Sequence, residues 1–538
     1  MKKKLLAAIG LAVFASATFV SAGPDQFHAK LGKDREILHA LSRLTFGARD
    51  GDAAEVRKIG LKPWIERQLQ PESIPESPVL EAKLAPLASL TMTNQQLAES
   101  YPPRQAIAAF ADGRMALPTD PQKRAAMEQL VALYKARREN KGAEVAPQAR
   151  AKGPEKIAPQ QTVARELAEG KLYRAIYSDR QLSEVLTDFW YNHFNVFLNK
   201  GADRFLVTAF ERDAIRPFVL GNFRQLLEAT AKDPAMLFYL DNWRSVTPKA
   251  VGREGRQRGL NENYARELLE LHTLGVDGGY TQKDIQEVAR CFTGWTIQTP
   301  YGGAGFQFNA RVHDKGEKTV LGVKIPAGGG MDDGLKVLDI VAHHRSTAHH
   351  IATQLAQRFV ADNPPVELID AMAKTFQQKD GDLREVMRTM LASKEFWSEG
   401  AYRAKVKSPL EMVASAIRAT GADVKTAIGL AKNLADLGQP LYMKQEPTGY
   451  SNSSDEWVNS AALLGRMNFA LALTQNKLRG VKVDAGKFEG DPTAVAESLL
   501  SGNVSAQTRL AIEKGQEAKQ DSVAIAGLIL GSPDFQRR

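Results

Sequence analysis

Two glutamates beside an arginine are the first residues whose types and spacing could do chemistry. Glu262, Arg266 and Glu267 fall in one helical pattern at 261–275. Carboxylates held beside an arginine in a helical core are groups whose pKa a protein can tune for proton transfer. We interpret Glu262 and Glu267 as candidate catalytic residues and Arg266 as a substrate-binding residue. Glu262, Arg266 and Glu270, at i, i+4 and i+8, also suit a plain ion-pair ladder along the helix.

His313 is a third candidate catalytic residue, because histidine can act as a general base or a metal ligand near neutral pH. Four more histidines cluster later in the chain, at His343, His344, His349 and His350. Their pairs lack the i, i+4 spacing of a helical zinc site, and the HExxH pattern is absent. We predict no metal site. The sequence identifies no cofactor, since it lacks a P-loop, a GxSxG turn and a GxGxxG turn before a helix.

A stripe of polar residues along a strongly apolar helical pattern at 183–199 predicts a substrate groove. Its members recur every three or four positions and share one helix face; they are Glu184, Asp188, Asn192, Asn195 and Asn199. We assign Asp188 and Asn192 to substrate binding, together with His193 across from the stripe. Internal hydrogen bonding is the alternative for the stripe, and a satisfied core position is the alternative for His193.

Two further features offer binding surface. We also assign Trp295 to substrate binding. The loop PTGYSNSSDEW at 447–457 combines Pro, Gly, Ser and two aromatic residues. That composition suits an exposed binding loop, and it suits a long structural connection equally well.

The charge of the chain excludes one class of partner. The formal net charge is +9, from 71 Lys and Arg residues against 62 Asp and Glu residues, which is modest for 538 residues. The densest basic stretch, at 137–156, is interleaved with Glu, Ala, Pro and Gly rather than with aromatic residues on which bases could stack. We therefore predict no nucleic-acid partner.

The first 22 residues have the order of a secretory signal peptide. Three lysines precede an uncharged apolar stretch at 5–20, and Val20-Ser21-Ala22 precedes Gly23. The pattern predicts cleavage after Ala22; an uncleaved membrane anchor is the alternative, because the apolar stretch approaches the length that spans a bilayer. No later apolar run has that length. We expect a periplasmic or secreted protein with no membrane span after cleavage.

The elements that must position these residues are mainly helical. Apolar residues recur at helical spacing over most of the chain, and only the Gly-rich stretch at 301–330 alternates as a β-hairpin does. The chain has a single cysteine, Cys291, so the fold cannot depend on disulfides. We predict a mainly α fold, a large multi-helix domain with a small β-hairpin insertion. The predicted regions are a signal peptide (1–22), an N-terminal helical region (23–160) with a Pro-rich mobile insertion (about 100–160), a central helical core (161–300), the hairpin insertion (301–330) and a C-terminal helical region (331–538).

Long motifs carry a family resemblance. The longest is NENYARELLELHTLGVDGGYTQKDIQEVARCFTGW at 261–295, and FWYNHFNVF at 189–197 and KSPLEMVASAIRATG at 407–421 are others. With further segments they run in order from about His39 to Gln536. On these motifs the chain resembles the domain-of-unknown-function-1800 family of bacterial exported proteins.

The resemblance implies a large, mostly helical envelope protein. Its relatives are often encoded beside a sulfatase-like partner family, and no settled reaction comes with the family. Many relatives carry a histidine where this chain has Tyr191. That departure weakens a paired-histidine metal site with His193.

Two functions remain open from the sequence. The first is an exported envelope protein that binds or hydrolyses a polar envelope molecule in a groove formed by the 183–199 helix, the 261–275 helix and the His313 hairpin. The alternative is a non-catalytic scaffold or accessory subunit for a sulfatase-like exported partner. An open pocket that unites His193, Glu262 and His313 favours the enzyme. Burial and internal pairing of each residue favours the scaffold.

Overall fold

The computed structural model describes residues 24–102, 104–118, 120–139, 159–247, 259–299, 302–502 and 504–538. The predicted signal peptide at 1–22 and residues 140–158 of the predicted insertion lie outside the described residues. Within the described ranges the chain is mainly helical, as the sequence predicts. It forms 25 α-helices there, with three two-stranded sheets.

The helices of the first 300 residues include both short connecting turns and long amphipathic helices. They are α1 (Lys33–Leu44), α2 (Asp52–Ile59), α3 (Leu61–Leu69), α4 (Pro78–Leu84), α5 (Asn94–Ser100), α6 (Arg104–Ala111), α7 (Pro121–Glu139), α8 (Pro159–Tyr177), α9 (Gln181–His193), α10 (Asp203–Ala209), α11 (Phe223–Lys232), α12 (Pro234–Tyr239), α13 (Asn263–Glu267) and α14 (Gln282–Cys291). Two π-helical turns continue α10 and α13, at Phe210–Ile215 and Leu268–His272.

The remaining helices follow the Gly-rich stretch. They are α15 (Asp332–Ala342), α16 (Arg345–Phe359), α17 (Val366–Gln378), α18 (Leu383–Ala392), α19 (Pro409–Thr420), α20 (Ile428–Asp436), α21 (Ser460–Thr474), α22 (Pro492–Leu499), α23 (Ala506–Glu517), α24 (Ser522–Gly531) and α25 (Pro533–Gln536). Among the described residues, no helix combines the length and the apolar character that crossing a bilayer requires.

The strands are short and lie in three antiparallel pairs. The pairs are β1 (Trp295–Ile297) with β2 (Phe306–Phe308), β3 (Lys318–Val320) with β4 (Val323–Ile325), and β5 (Asp423–Val424) with β6 (Val481–Lys482). The predicted hairpin insertion is thus two small pairs, because β2 pairs back to β1 rather than forward to β3. Leu321 and Gly322 both have positive φ, as a two-residue hairpin turn with the right twist requires.

The helix predicted at 183–199 ends earlier, at His193. Two residues beyond the end of the helix, Asn195 Nδ2 donates to the carbonyls of Lys444 at 3.0 Å and Glu446 at 2.9 Å. Asn195 therefore holds a distant loop instead of extending the polar face of α9.

One main cluster of buried apolar side chains extends from Phe27 to Phe535. It includes the buried faces of α8, α9, α16 and α19, for example Leu172, Trp190, Phe359 and Val413. Burial of apolar surface is the main stabilising contribution to such a fold. Because these four helices share one core, polar residues from distant parts of the sequence meet where the helices converge.

The end of the chain is held by backbone pairing next to α19. Lys405 and Arg538 exchange both backbone hydrogen bonds, and the Lys407 N–H donates to the carbonyl of Gln536. Ser408 then caps α19 in a reciprocal capping box with Glu411. These contacts place two lysines, an arginine and a glutamate beside α16.

Candidate binding cleft

A cleft of about 60 Å³ opens where α8, α9, α16 and the start of α19 converge. The loop at 439–457 and the C-terminal Arg538 complete its wall. Its volume lies below the roughly 300–1,000 Å³ of sites that enclose a whole drug-sized ligand. We call this feature the binding cleft, and it contains two of the predicted substrate-binding residues, Asp188 and Asn192.

Asn192 fixes the loop that forms one side of the binding cleft. Its Nδ2 donates to the carbonyl of Tyr450, and its Oδ1 accepts from the Tyr450 N–H, both at 2.7 Å. Gly449 has φ +67°, and a Cβ there would lie 2.2 Å from the carbonyl oxygen of Asn192. Only glycine allows the loop to approach α9 this closely. The polar stripe of α9 therefore acts partly through internal hydrogen bonds, the alternative that the sequence left open.

Asp188 belongs to a buried network of charges at one end of the binding cleft. Lys171 Nζ lies 3.0 Å from Asp188 Oδ1 and 3.4 Å from Glu211 Oε2. Burial lowers the pKa of Lys171, but Asp188 and Glu211 together raise it above its usual value. Tyr442 Oη donates to Glu211 at 2.7 Å. The ammonium group therefore stays charged beneath the cleft.

The pKa of Glu211 is tuned strongly by the same network. Burial raises the pKa of this carboxyl, but Lys171 and Arg216 outweigh it and bring the value down to about 2. Arg216 Nη2 lies 3.3 Å from Glu211 and its Nη1 lies 2.6 Å from Glu184. Glu184, the first member of the predicted stripe, is therefore an ion-pair partner within the protein.

The floor of the binding cleft is cationic. Arg358 and Arg538 both contact Glu411 Oε1, and Arg538 Nη2 lies 3.1 Å from it. Burial raises the pKa of Glu411, but the two arginines bring it down to about 2. Burial and Arg358 lower the pKa of Arg538 to about 9, so its guanidinium group is still charged at neutral pH.

Lys405 adds another cation at the edge of the floor. Its Nζ contacts Asp362 Oδ1 and the carbonyl of Asn452. Burial lowers the pKa of Lys405 to about 8, against the opposing effect of Asp362. Ser454 donates both its N–H and its hydroxyl to the other oxygen of Asp362. The loop is thus tied to the floor through Asp362.

Aromatic rings line the upper part of the binding cleft. Tyr450 and Trp457 have ring centroids 5.8 Å apart, and Phe189 and Tyr442 also reach the wall. Tyr450 Oη donates to the carbonyl of Pro440 at 2.9 Å, which orients its ring. The binding-loop interpretation of 447–457 is consistent with this position, because Tyr450, Ser451, Asn452 and Trp457 all line the cleft.

His193 lies next to the binding cleft but does not line it. Its Nε2 donates to the carbonyl of His272 at 3.1 Å, and its ring packs among Trp190, Phe194 and His350. Burial, together with His350 and His272, lowers the pKa of His193 well below its usual value. The ring is therefore neutral at physiological pH and serves as a core contact.

The predicted acid and base candidates near α13 lie elsewhere. Glu262 Oε2 accepts from Gln282 Nε2 at 2.7 Å and lies 3.6 Å from Arg266, beside a separate open depression. Burial, then the neighbouring Glu270, raises the pKa of Glu267, while Arg266 lowers it. The predicted ion-pair ladder is therefore present in part, between Glu262 and Arg266.

His313 and Trp295 are enclosed in the core. His313 is 3% exposed; its Nδ1 lies 2.8 Å from the carbonyl of Thr293 and its Nε2 lies 3.0 Å from Asp333 Oδ2, which Lys318 also contacts. Trp295 is fully buried and packs directly against Gly334. His193, Glu262 and His313 therefore each have separate hydrogen-bond partners.

The described residues offer no group of three or more His, Cys, Asp or Glu side chains arranged to hold a metal ion.

Several charged and polar residues that line the binding cleft were not identified from the sequence. They are Lys171, Arg358, Lys405, Glu411, Tyr442 and Arg538. One signal was available, because Ser408-Pro409 followed by Glu411 is a capping-box pattern. It predicts a helix start and carries no hint of the arginines that meet there.

The fold and the cleft define a mainly helical protein with a charged, aromatic-walled cleft. The chain belongs to the family described as "Protein of unknown function (DUF1800)", whose model matches residues 39–537. Searches of curated proteins and of solved structures find no match. The family assignment made from the motifs is confirmed, and it covers the binding cleft almost entirely.

Proposed function

We propose that the protein is an exported envelope protein that binds a polar, hydroxyl-rich molecule in the binding cleft. The observation that carries the proposal is the make-up of the wall, where Ser451 and Asn452 stand beside the rings of Tyr450 and Trp457. Amides and hydroxyls exchange hydrogen bonds with ligand hydroxyls, and aromatic rings cover apolar ligand faces. A saccharide-like ligand combines both kinds of surface.

The proposal is binding rather than hydrolysis. General acid–base catalysis needs groups within hydrogen-bond reach of the reacting atoms. His313 is committed to Asp333 and Thr293 inside the core, and His193 to a backbone carbonyl. These contacts support a role for both histidines in holding the fold.

Blocking the mouth of the binding cleft tests the proposal. Ser451 is exposed at the cleft, so Ser451→Trp would obstruct it without entering the core. Ser460→Trp is the matched control, because Ser460 is exposed on α21 and does not line the cleft. Calorimetric titration would use N-acetylglucosamine, galacturonic acid and a muropeptide. We expect binding of at least one by the wild type and the control, and about tenfold weaker binding, or about 1.4 kcal/mol, by Ser451→Trp.

Equal affinity in the two tryptophan variants would place the ligand outside the cleft and contradict the proposal. If none of the saccharides binds the wild type, the proposal of a hydroxyl-rich ligand is contradicted.

Export is tested by the mature N-terminus. The proposal expects cleavage after Ala22, because small residues follow an apolar stretch there. N-terminal sequencing of protein from the periplasmic fraction or the medium should begin at Gly23. Protein that retains Met1 in the cytoplasm would contradict export.

The second candidate is an accessory subunit for the sulfatase-like exported partner. The internal pairing of His193 and His313 favours it, since both histidines serve the fold. Co-expression with a sulfatase-like exported protein, followed by size-exclusion chromatography, tests it directly. Co-elution that Ser451→Trp leaves intact would support this role, and separate elution would remove it.

A further inference from the structure

Four buried arginines meet beneath the binding cleft. They are Arg43, Arg358, Arg466 and Arg538, with exposures of 0%, 7%, 1% and 3%. We call them the arginine cluster. Burying a guanidinium group is costly unless carboxylates and hydrogen bonds compensate it. The partners available to the cluster therefore decide whether it is complete.

The carboxylates beside the arginine cluster are too few to pair with all four arginines. Glu411 Oε1 serves both Arg358 and Arg538, and its Oε2 accepts from the Ser408 N–H at 2.8 Å. Asp188 Oδ1 binds Lys171, and its Oδ2 lies 4.0 Å from Arg358 Nη2, beyond hydrogen-bond distance. The cluster thus has more positive charge than its carboxylates neutralise.

Asp362 does not supply the missing negative charge. Its Oδ1 contacts Lys405, and its Oδ2 accepts two hydrogen bonds from Ser454. Lys405 is itself another cation on the cleft floor, so Asp362 neutralises a charge outside the cluster.

Seven nitrogens of the arginine cluster are buried with no hydrogen-bond partner among the described residues. They are Nε and Nη1 of Arg43, Nη2 of Arg358, Nε and Nη2 of Arg466, and Nε and Nη1 of Arg538. An unsatisfied buried donor costs about 1–3 kcal/mol, and more when it is charged. So many orphaned donors in one place indicate an acceptor that comes from outside the chain.

Access to the arginine cluster is through the binding cleft. Arg358, Arg538 and Lys405 line its floor, and Arg43 and Arg466 carry the remaining orphaned donors behind them. Arginine forks match the paired oxygens of sulfate, phosphate and carboxylate groups, with charge-assisted hydrogen bonds. An oxyanion entering the cleft would lie beside Arg358, Arg538 and Lys405, the cationic residues that line its floor.

We infer that the floor of the binding cleft is an oxyanion subsite, in which Arg358, Arg538 and Lys405 hold a sulfate, phosphate or carboxylate group of the ligand. This inference rests on the proposed function for the rest of the ligand, since the aromatic wall above would hold its hydroxyl-rich part. The ligand class becomes an acidic saccharide or a comparable anionic, hydroxyl-rich molecule.

Inorganic sulfate and phosphate are the first probes. Thermal unfolding and calorimetry of the full protein would compare each with chloride at equal ionic strength. Arg358→Lys keeps the charge beside Glu411 but loses the fork. Arg418→Lys is the matched control, since Arg418 is also buried and lies outside the cleft, bonded to the carbonyls of Gly47 and Ile176. We expect saturable binding by the wild type and the control, and affinity about tenfold lower in Arg358→Lys, the loss of one charge-assisted hydrogen bond.

Sulfate also stabilises proteins without binding, by exclusion from their surface. A stabilisation that is equal in the wild type and in Arg358→Lys would therefore overturn the inference. A second variant, Arg538→Lys, guards against misfolding of the first. If both variants fold, with unchanged circular dichroism, and both keep the anion affinity of the wild type, the orphaned donors are hydrated and the subsite does not exist.

A comparison of glucose, glucose 6-sulfate and glucose 6-phosphate shows whether the bound anion is free or carried on a saccharide. It also tests the oxyanion subsite separately from the proposed function. Tighter binding of an ester than of its inorganic anion supports an oxyanion carried on a saccharide. If an ester and its inorganic anion bind with equal affinity, the result supports a subsite for a free anion. It then contradicts the proposal of a hydroxyl-rich ligand. Binding of glucose alone, with no response to either anion, overturns the subsite and leaves the proposed function standing.

Discussion

At the scale of single residues, the binding cleft is built from ionised groups whose pKa values depend on partners far away in the chain. Glu211 and Glu411 are both buried, yet cationic neighbours bring each pKa down to about 2. Burial alone would raise both values. The charges of the cleft therefore persist over the physiological range because each carboxylate faces two cations.

Glu211→Gln tests this coupling through its pH dependence. A carboxyl with a lowered pKa contributes stability that is fully present above its unfolded value near 4.5 and is lost as the pH falls towards 2. The lowering of the Glu211 pKa corresponds to about 3 kcal/mol of unfolding free energy, at about 1.36 kcal/mol per pKa unit. Urea unfolding should show Glu211→Gln less stable than the wild type by that order at pH 7.

The stability gap between Glu211→Gln and the wild type should narrow as the pH falls below 4.5. Glu513→Gln, at an exposed position, is the control that should track the wild type throughout. A gap that stays constant between pH 7 and the acid limit of folding would contradict the assigned pKa.

At the scale of elements, the loop at 439–457 is shaped by its contact with α9. Asn192 binds Tyr450 at both backbone groups, and Gly449 lets the loop come within van der Waals distance of the helix end. Asn195 holds the carbonyls of Lys444 and Glu446 in the same way. Two asparagines of α9 and the residues just after it thus hold the 439–457 loop as a defined wall.

Gly449→Ala should displace that wall. Its Cβ would lie 2.2 Å from the Asn192 carbonyl oxygen, and its φ of +67° is strained for alanine. Gly490→Ala separates the two effects, because Gly490 has φ +98° but a Cβ there would meet no atom within 4 Å. Urea unfolding should show a larger loss of stability for Gly449→Ala than the roughly 1–2 kcal/mol of left-handed backbone strain alone.

Limited proteolysis should also cut the 447–457 loop faster in Gly449→Ala than in Gly490→Ala. Equal stability and equal proteolysis of the two variants would mean that the close approach to α9 does not hold the loop.

At the scale of the whole molecule, one apolar core joins helices from both ends of the described chain. The arginine cluster illustrates the result, since Arg43 comes from α1 and Arg538 from the C-terminal segment that pairs with Lys405. A site assembled from such distant segments depends on the integrity of the complete core. We expect its opening to be global rather than local.

Cys291 reports on that opening. It is fully buried, and burial raises the pKa of its thiol to about 12, so the reactive thiolate is scarce. Iodoacetamide should leave the native protein unlabelled and should label it in concentrated urea. Ser451→Cys, at the exposed cleft mouth, should be labelled at once in the native state. Rapid native labelling of Cys291 would show that the core opens locally.

The sequence by itself determined the helical class and the family, because helical periodicity and long motifs are local features. It also singled out Asp188 and Asn192 from their common helix face. Those features depend on neighbours a few residues away, which the sequence displays directly.

Only the tertiary structure decided which polar residues share a site. Asp188 meets Lys171 and Arg358, whereas Glu262 and His313 have partners of their own. The physical reason is that ion pairing and burial depend on how distant helices pack, and a helical pattern does not specify which helix lies opposite. The chemistry first attributed to Glu262, Glu267 and His313 remains a prediction, while the charged cleft emerged from packing alone.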